Sequence, residues 1–409
     1  MITAGALDDN SEEQLADRLG VSARHLRRVF NEHLGVTPDR LARSHRTHFA
    51  RRLLDDTDLP VSDVAFAAGF GSVRQFQRDC TSTFGAPPSE LRARRPGNAH
   101  GISTGADGGL GIELPQRIGL EWGAMASWLD ARTVRGVEAV TGLGDDPAAP
   151  TFRRTVDIDG QVGLIELHHS TGASRSRHQD PHPMVLTVHL PHWDGLIHVV
   201  RRARRMVATD LPLLAAVEHL GSDAVLGPLV SALPGLRPPG CWDPFETTIR
   251  AILAQQITVT GARTIAGRLA ERLGTPVAGL EQHGLDRIFP RPDMFMEAAL
   301  DDIGLTRSRT ETLRTVAKAA LDGFEFSGPD LAQRLVGLRG IGDWTAQYVA
   351  LRAGEPDAFP ASDIALREAA GRLMGMERPS TRELEELSQR WRPWRSIAAI
   401  HLWWSLRGA

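Results

Sequence analysis

Residues 338–346 read LRGIGDWTA, and after an apolar stretch the chain reaches FPASD at 359–363. Gly340 and Gly342 flank Ile341 at a turn where backbone must approach something closely. Thr345 and Ala346 then open a helix whose first N–H groups have no intrahelical acceptor. Free amides at a helix N-terminus favour an anion, so Leu338, Arg339, Gly340, Ile341, Gly342 and Thr345 form a candidate phosphate cradle. One carboxylate, Asp363, follows at a spacing that can return it to the same turn. A phosphate grip beside a lone acid points to chemistry on a nucleic-acid sugar.

Working outward, 409 residues exceed one ordinary domain, and two or three are expected. Two distant cysteines, Cys80 and Cys241, leave no disulfide framework and fit a reducing compartment, hence a cytoplasmic protein. No apolar run is long enough to span a bilayer, and no secretory leader is evident. A formal net charge of −3 excludes an overall basic coat but not a local basic patch. Lys318 is the only lysine among many arginines, a bias that a GC-rich genome explains without function.

Residues 96–110 are rich in Gly, Ser and Asn and read as a flexible linker. Everything before them is helical in pattern. Residues 111–230 mix alternating stretches (153–158, 162–167, 184–190) with helical ones (122–131, 193–206). Beyond a boundary marked by PGLRPPG the helical period dominates from Pro244 to the end, and the last unit is read as 231–409. The expected fold is therefore multidomain and mainly α, with one α+β unit.

Within residues 1–95 a pattern recurs. Leu15, Ala16, Leu19, Gly20 and Val21, then Leu26, Phe30 and Leu34, are echoed by Val64, Ala65, Ala68, Gly69 and Phe70, then Phe76, Cys80 and Phe84. Each copy is a short helix, a Gly-containing turn and a second amphipathic helix. Two such motifs bridged by a helix at about 38–54 resemble the AraC-type double helix-turn-helix DNA-binding domain, as found in bacterial adaptive-response regulators. The resemblance implies groove-reading helices at 23–33 and 72–83, with Arg24, His25, Arg27, Arg28, Arg74, Gln75 and Arg78 available to DNA. The bland reading is a solvated arginine face; two aligned copies favour the functional one. Asp79 is expected to place an acid beside DNA, and the domain's opening helix to be cut short.

The string from Leu338 to Asp363 resembles the helix-hairpin-helix (HhH-GPD) DNA glycosylases, in their 3-methyladenine DNA glycosylase II branch. The resemblance implies an all-helical glycosylase domain at 231–409, and a TATA-binding-protein-like α+β domain at 111–230. It also implies that Asp363 is the catalytic acid, its carboxylate stabilising an oxocarbenium-like sugar as the base leaves. Ser362 and Asp363 are equally good helix caps, and both roles can hold at once. A related lyase lysine would fall at Trp344, so base removal without strand cleavage is expected. Two cysteines cannot build an iron–sulfur cluster, and neither a zinc module nor an alkyltransferase motif is present. The seven histidines between His168 and His198 lack metal-ligand spacing. No cofactor is expected beyond a monovalent cation that family hairpins bind through backbone carbonyls, here near 338–341.

A flipped, positively charged alkylpurine needs an aromatic pocket. By resemblance Trp403 is the stacking residue, with Tyr348, Trp344 and Gln255 completing the pocket. Trp391 and Trp394 are assigned to structure. Gln256 matches the wedge that fills the gap left by the extruded base, where the glycosylase II enzyme has leucine. Arg339 stands where proline is frequent. The resulting reading is an alkylpurine-DNA glycosylase acting as a monomer on double-stranded DNA such as that carrying 3-methyladenine or 7-methylguanine, with promoter DNA as a further partner and no membrane. The rivals are a transcriptional regulator with a passive glycosylase half, and the same fold acting on another lesion.

Overall fold

The computed structural model describes residues 7, 11–95, 102–104, 108–116, 118–144, 146, 148–170, 183–300 and 302–408. Six helices come first: α1 (Glu12–Arg18), α2 (Ala23–Leu34), α3 (Pro38–Asp56), α4 (Val61–Ala67), α5 (Val73–Phe84) and α6 (Pro88–Ala93). Both copies of the repeat form hairpins, α1–α2 and α4–α5, joined by α3. Ser22 and Ser72 cap the second helix of each through the amide two residues beyond the helix start, and Gly35 and Gly85 end them in left-handed conformation. The copies are buried differently. Leu15, Ala16 and Leu26 of the first build a small core of their own. Phe70, Phe76 and Cys80 of the second join the core of the sheet that follows.

That sheet holds β1 (Ile102–Thr104), β2 (Leu110–Leu114), β3 (Glu138–Thr141), β4 (Thr151–Ile158), β5 (Gln161–His169) and β6 (Met184–His189). It is antiparallel throughout, in the order β1-β2-β6-β5-β4-β3. Helices α7 (Trp122–Asp130) and α8 (Leu196–Met206) supply Trp122, Met125, Val199 and Ala203 to its core. The expectation of a linker at 96–110 is corrected in part. Ile102 is buried, and β1 pairs with β2, so the Ile-Ser-Thr segment covers an otherwise open sheet edge. Residues 96–101 and 105–107 lie outside the described residues.

The helix-turn-helix unit is seated on this sheet. The Ile102 amide donates to Asp56 Oδ2 at 3.0 Å, Arg52 donates to the Glu113 carbonyl at 3.3 Å, and the Gly195 amide donates to the Phe66 carbonyl at 3.2 Å. Arg18 in α1 also reaches the helical unit, pairing with Glu325 at 2.7 Å.

The remaining helices are α9 (Leu213–Gly221), α10 (Gly227–Ala232), α11 (Pro244–Leu253), α12 (Val259–Leu273), α13 (Arg307–Leu321), α14 (Leu331–Val336), α15 (Asp343–Ala353), α16 (Ile364–Met374), α17 (Thr381–Ser388) and α18 (Arg395–Ser405). They pack around two cores, one centred on α11–α15 and one on α15, α16 and α18. The boundary read at 230/231 falls inside α10 and does not divide the cores. Leu213, Leu220 and Val230 of α9 and α10 pack with Leu366 and Leu402, on the far side of that boundary.

A buried ionic strut ties sheet to helices. Arg154 of β4 donates to Glu138 of β3 at 3.2 Å and to Glu246 of α11 at 2.8 Å, and Arg250 donates to the same two carboxylates at 3.0 and 2.9 Å. Burial alone would raise the Glu246 carboxyl, but Arg154 and Arg250 outweigh it and hold it below the usual carboxylate range. The strut fixes the start of α11, and so the direction in which its far end points.

Candidate active site

The hairpin lies between α14 and α15. Gly340 has φ +92°, and a Cβ there would stand 2.0 Å from Thr312 Oγ1, so only glycine fits. Ile341 is buried and anchors the turn in the α11–α15 core, with half-buried Leu338 packed beside it. Gly342 caps α15 without any side-chain bond, which leaves the first-turn amides facing outward. Arg339 is exposed and makes no ion pair among the described residues. Thr345 is buried, 2% exposed, and its hydroxyl accepts from Gln255, so it can offer a ligand only its backbone amide.

Asp363 begins α16 and is held by three N–H donors. Its Oδ1 accepts from the Leu366 amide and from Trp403 Nε1, both at 3.0 Å, and its Oδ2 accepts from Trp344 Nε1 at 2.8 Å. Asp363 is thus the cap of α16, and the same carboxylate faces two indoles. Trp344 stacks on Tyr348 with centroids 5.4 Å apart and planes 9° apart, and Tyr348 meets Trp403 edge-on at 6.3 Å. Tyr348 and Trp403 each pack against two different cores, so the cluster sits where the cores meet. With the Trp403 N–H engaged by Asp363, that residue has its ring faces to offer a base. Trp391 is fully buried against Phe359 and Trp394 packs in the same core, the structural roles expected of them.

Sequence reasoning missed the residues behind Tyr348. Arg352, one helical turn on, donates to the Tyr348 hydroxyl at 3.0 Å and to the carbonyl of Gly240 at 2.8 Å. Arg352 and Arg132 also lie over the Trp128 ring, at 4.3 and 4.1 Å. Burial would raise the Tyr348 phenol, but Arg352 and Arg132 outweigh it and lower its pKa. The i,i+4 spacing of Tyr348 and Arg352 was the one available signal. Ile364, beside Asp363, is 64% exposed, which no periodicity argument indicated.

At the turn between α11 and α12 the two glutamines differ. Gln256 is exposed with φ +57°, a tip position consistent with a wedge. The Gln255 Nε2 donates to Thr345 Oγ1 at 3.0 Å and to the Gly340 carbonyl at 3.3 Å, so its amide is engaged by the hairpin.

On the helix-turn-helix unit, Arg24, His25 and Arg74 are exposed and Gln75 is half-buried. Arg24 and Arg74 make no ion pair among the described residues. Arg27 is exposed and pairs with Glu12 and Glu13 of α1. Arg28 pairs with Glu32 at 3.0 Å, and Arg78 with Asp79 at 3.5 Å. Asp79 is itself buried rather than presented to DNA. Among the described residues no set of three His, Cys, Asp or Glu could hold a metal ion. Both thiols are buried, and burial pushes Cys80 up to about 12. The arginine run on α8 places half-buried Arg201, Arg202 and Arg205 along a cleft of about 650 Å³. That cleft lies at the Asp243 end of α11, away from Asp363. Its size does not make it the active site.

Comparison with known proteins follows the same three units. Residues 15–94 match a helix-turn-helix domain, 111–243 the AlkA N-terminal domain, and 249–393 the HhH-GPD superfamily of base excision DNA repair proteins. A probable bifunctional transcriptional activator/DNA repair enzyme AlkA of Mycobacterium tuberculosis is 35% identical over 99% of this chain and 79% of its own length. The DNA-3-methyladenine glycosylase 2 of Escherichia coli is 35% identical over 70% of this chain and 94% of its own. In fold, a 3-methyladenine DNA-glycosylase from Archaeoglobus fulgidus aligns with a TM-score of 0.58 at 21% identity, over 73% of this chain and 98% of that one.

Proposed function

This chain belongs to the HhH-GPD DNA glycosylases of the 3-methyladenine glycosylase II type, joined to an AraC-type helix-turn-helix unit, and from that premise we propose that it excises alkylated, cationic purines by hydrolysis without cutting the strand. The observation that carries the reading is Asp363, gripped by two indole N–H groups inside an aromatic cluster beside the hairpin. Outward amides of the hairpin hold a backbone phosphate, Gln256 enters the duplex, and the damaged nucleotide swings into the cluster. There the faces of Tyr348, Trp344 and Trp403 attract a positively charged base, at about 0.5–2 kcal/mol for each favourable cation–π contact. Asp363 then faces C1′, where positive charge grows as the glycosidic bond breaks, and water completes the hydrolysis. Its orientation is set in advance by its three donors, so little reorganisation accompanies the reaction.

The lyase alternative needs an amine at the site. At that place stands Trp344, and Lys318, the only lysine, pairs with Asp322 at 2.6 Å. The helix-turn-helix unit supplies a second DNA grip, and exposed Arg24 and Arg74 favour promoter DNA as one of its targets. The protein works as a monomer, and no helix among the described residues is long and apolar enough to cross a membrane.

The test is release of 3-methyladenine and 7-methylguanine from alkylated duplex by the full chain. Asp363→Asn should bind the duplex normally yet lose release by about 10²–10³-fold, the scale of removing one preorganised charge-stabilising group. No release by the parent protein would overturn the reading, and release of neutral deaminated bases alone would move it to another lesion class.

A further inference from the structure

Gln255 and Gln256 are adjacent in sequence but act on opposite sides of one peptide plane. The Gln256 side chain is exposed, and its backbone sits in the left-handed region that residues with a Cβ rarely adopt. The peptide that precedes it is held from outside. Arg309, near the start of α13, donates to the Gln255 carbonyl, which belongs to the same peptide as the Gln256 amide. The Gln255 side chain reaches the other way, to the Gly340 carbonyl and Thr345 Oγ1. Both acceptors lie in the turn whose free amides face outward.

We infer that Gln255 is a positioning residue that couples the hairpin's hold on a DNA phosphate to insertion of Gln256 at the extruded base. Fixing that peptide plane leaves Gln256 with its strained φ and a defined exit direction, instead of a turn that relaxes. Thr345 contributes its backbone to the phosphate-facing turn and its hydroxyl to Gln255, so a shift of one is felt by the other. The inference rests on the base-flipping reading above and adds a residue whose side chain touches neither substrate nor wedge.

The test uses the full chain and a duplex carrying tetrahydrofuran, an uncleavable abasic analogue, opposite 2-aminopurine. Wedge entry unstacks the fluorophore, and nothing can be released, so the lesion assignment does not affect the result. The wild-type protein should raise the fluorescence. Gln255→Met removes both donors at similar shape, and Thr345→Val removes the facing acceptor. Each should lower the inserted population about tenfold, while for Gln255→Met affinity for undamaged duplex stays within about twofold. The double variant should be little worse than either single, as expected for one shared interaction. Wild-type fluorescence in both single variants would overturn the coupling. So would a parallel loss of undamaged-duplex binding by Gln255→Met, which is the mark of a hairpin that has merely collapsed. Failure of wild-type protein to release alkylated bases, with the fluorescence pattern intact, would instead refute the lesion assignment alone.

Discussion

The indole N–H of Trp344 stands 2.8 Å from Asp363 Oδ2, so a residue of the first turn of α15 holds the carboxylate that caps α16. With Trp403 on the other oxygen, the carboxylate cannot swing away from the aromatic cluster without breaking two bonds. Trp344→Phe keeps the stack on Tyr348 and loses the donor. Base release should fall about tenfold with DNA affinity unchanged, since one hydrogen bond to a charged group is removed. Single-turnover release beside a binding titration separates the two.

The strut predicts a stability effect at a distance from the chemistry. Arg154→Met leaves Glu138 and Glu246 sharing a buried site with Arg250 alone. It should destabilise the protein by about 3–5 kcal/mol, because a buried charge is left short of its partner. Urea unfolding measures this, and replacing the carboxylates together with Arg154 and Arg250 by apolar residues should recover much of the loss.

His401 is buried on α18, and burial depresses its pKa from 6.5 to about 4. The unfolded chain binds this proton readily below 6.5, whereas the folded chain resists until about 4. The contribution is therefore complete above 6.5 and is lost as pH falls through the window, roughly 3 kcal/mol in all. Thermal melting from pH 7 to pH 4 should show His401→Leu losing less stability than the parent.

In the helix-turn-helix unit, exposed and ion-paired arginines should behave differently. Arg24→Ala and Arg74→Ala should each reduce the salt slope of DNA binding by about 0.9, one phosphate contact apiece. Arg27→Ala should leave that slope alone and loosen α1 from α2, because Glu12 and Glu13 hold its guanidinium. Binding titrations at several salt concentrations read the first effect, and melting of the full chain reads the second.

The sequence by itself determined the three units, the two repeated hairpins, the glycine turn at Gly340 and the return of Asp363, a helix cap, to the side of that turn. These rest on local chemistry: capping residues, helical period, a left-handed glycine and the spacing of neighbours along one helix. Tertiary structure alone decided that Ile102 to Thr104 form an edge strand, that Gln255 faces the hairpin, that Arg27 pairs with Glu12 and Glu13, and that Asp79 is buried. It also decided that two indoles converge on Asp363 and that Arg352 and Arg132 back Tyr348. Each of these depends on where a side-chain donor or acceptor meets a partner brought in by a distant segment. Hydrogen-bond direction and burial are set by that approach, which no pattern along the chain encodes.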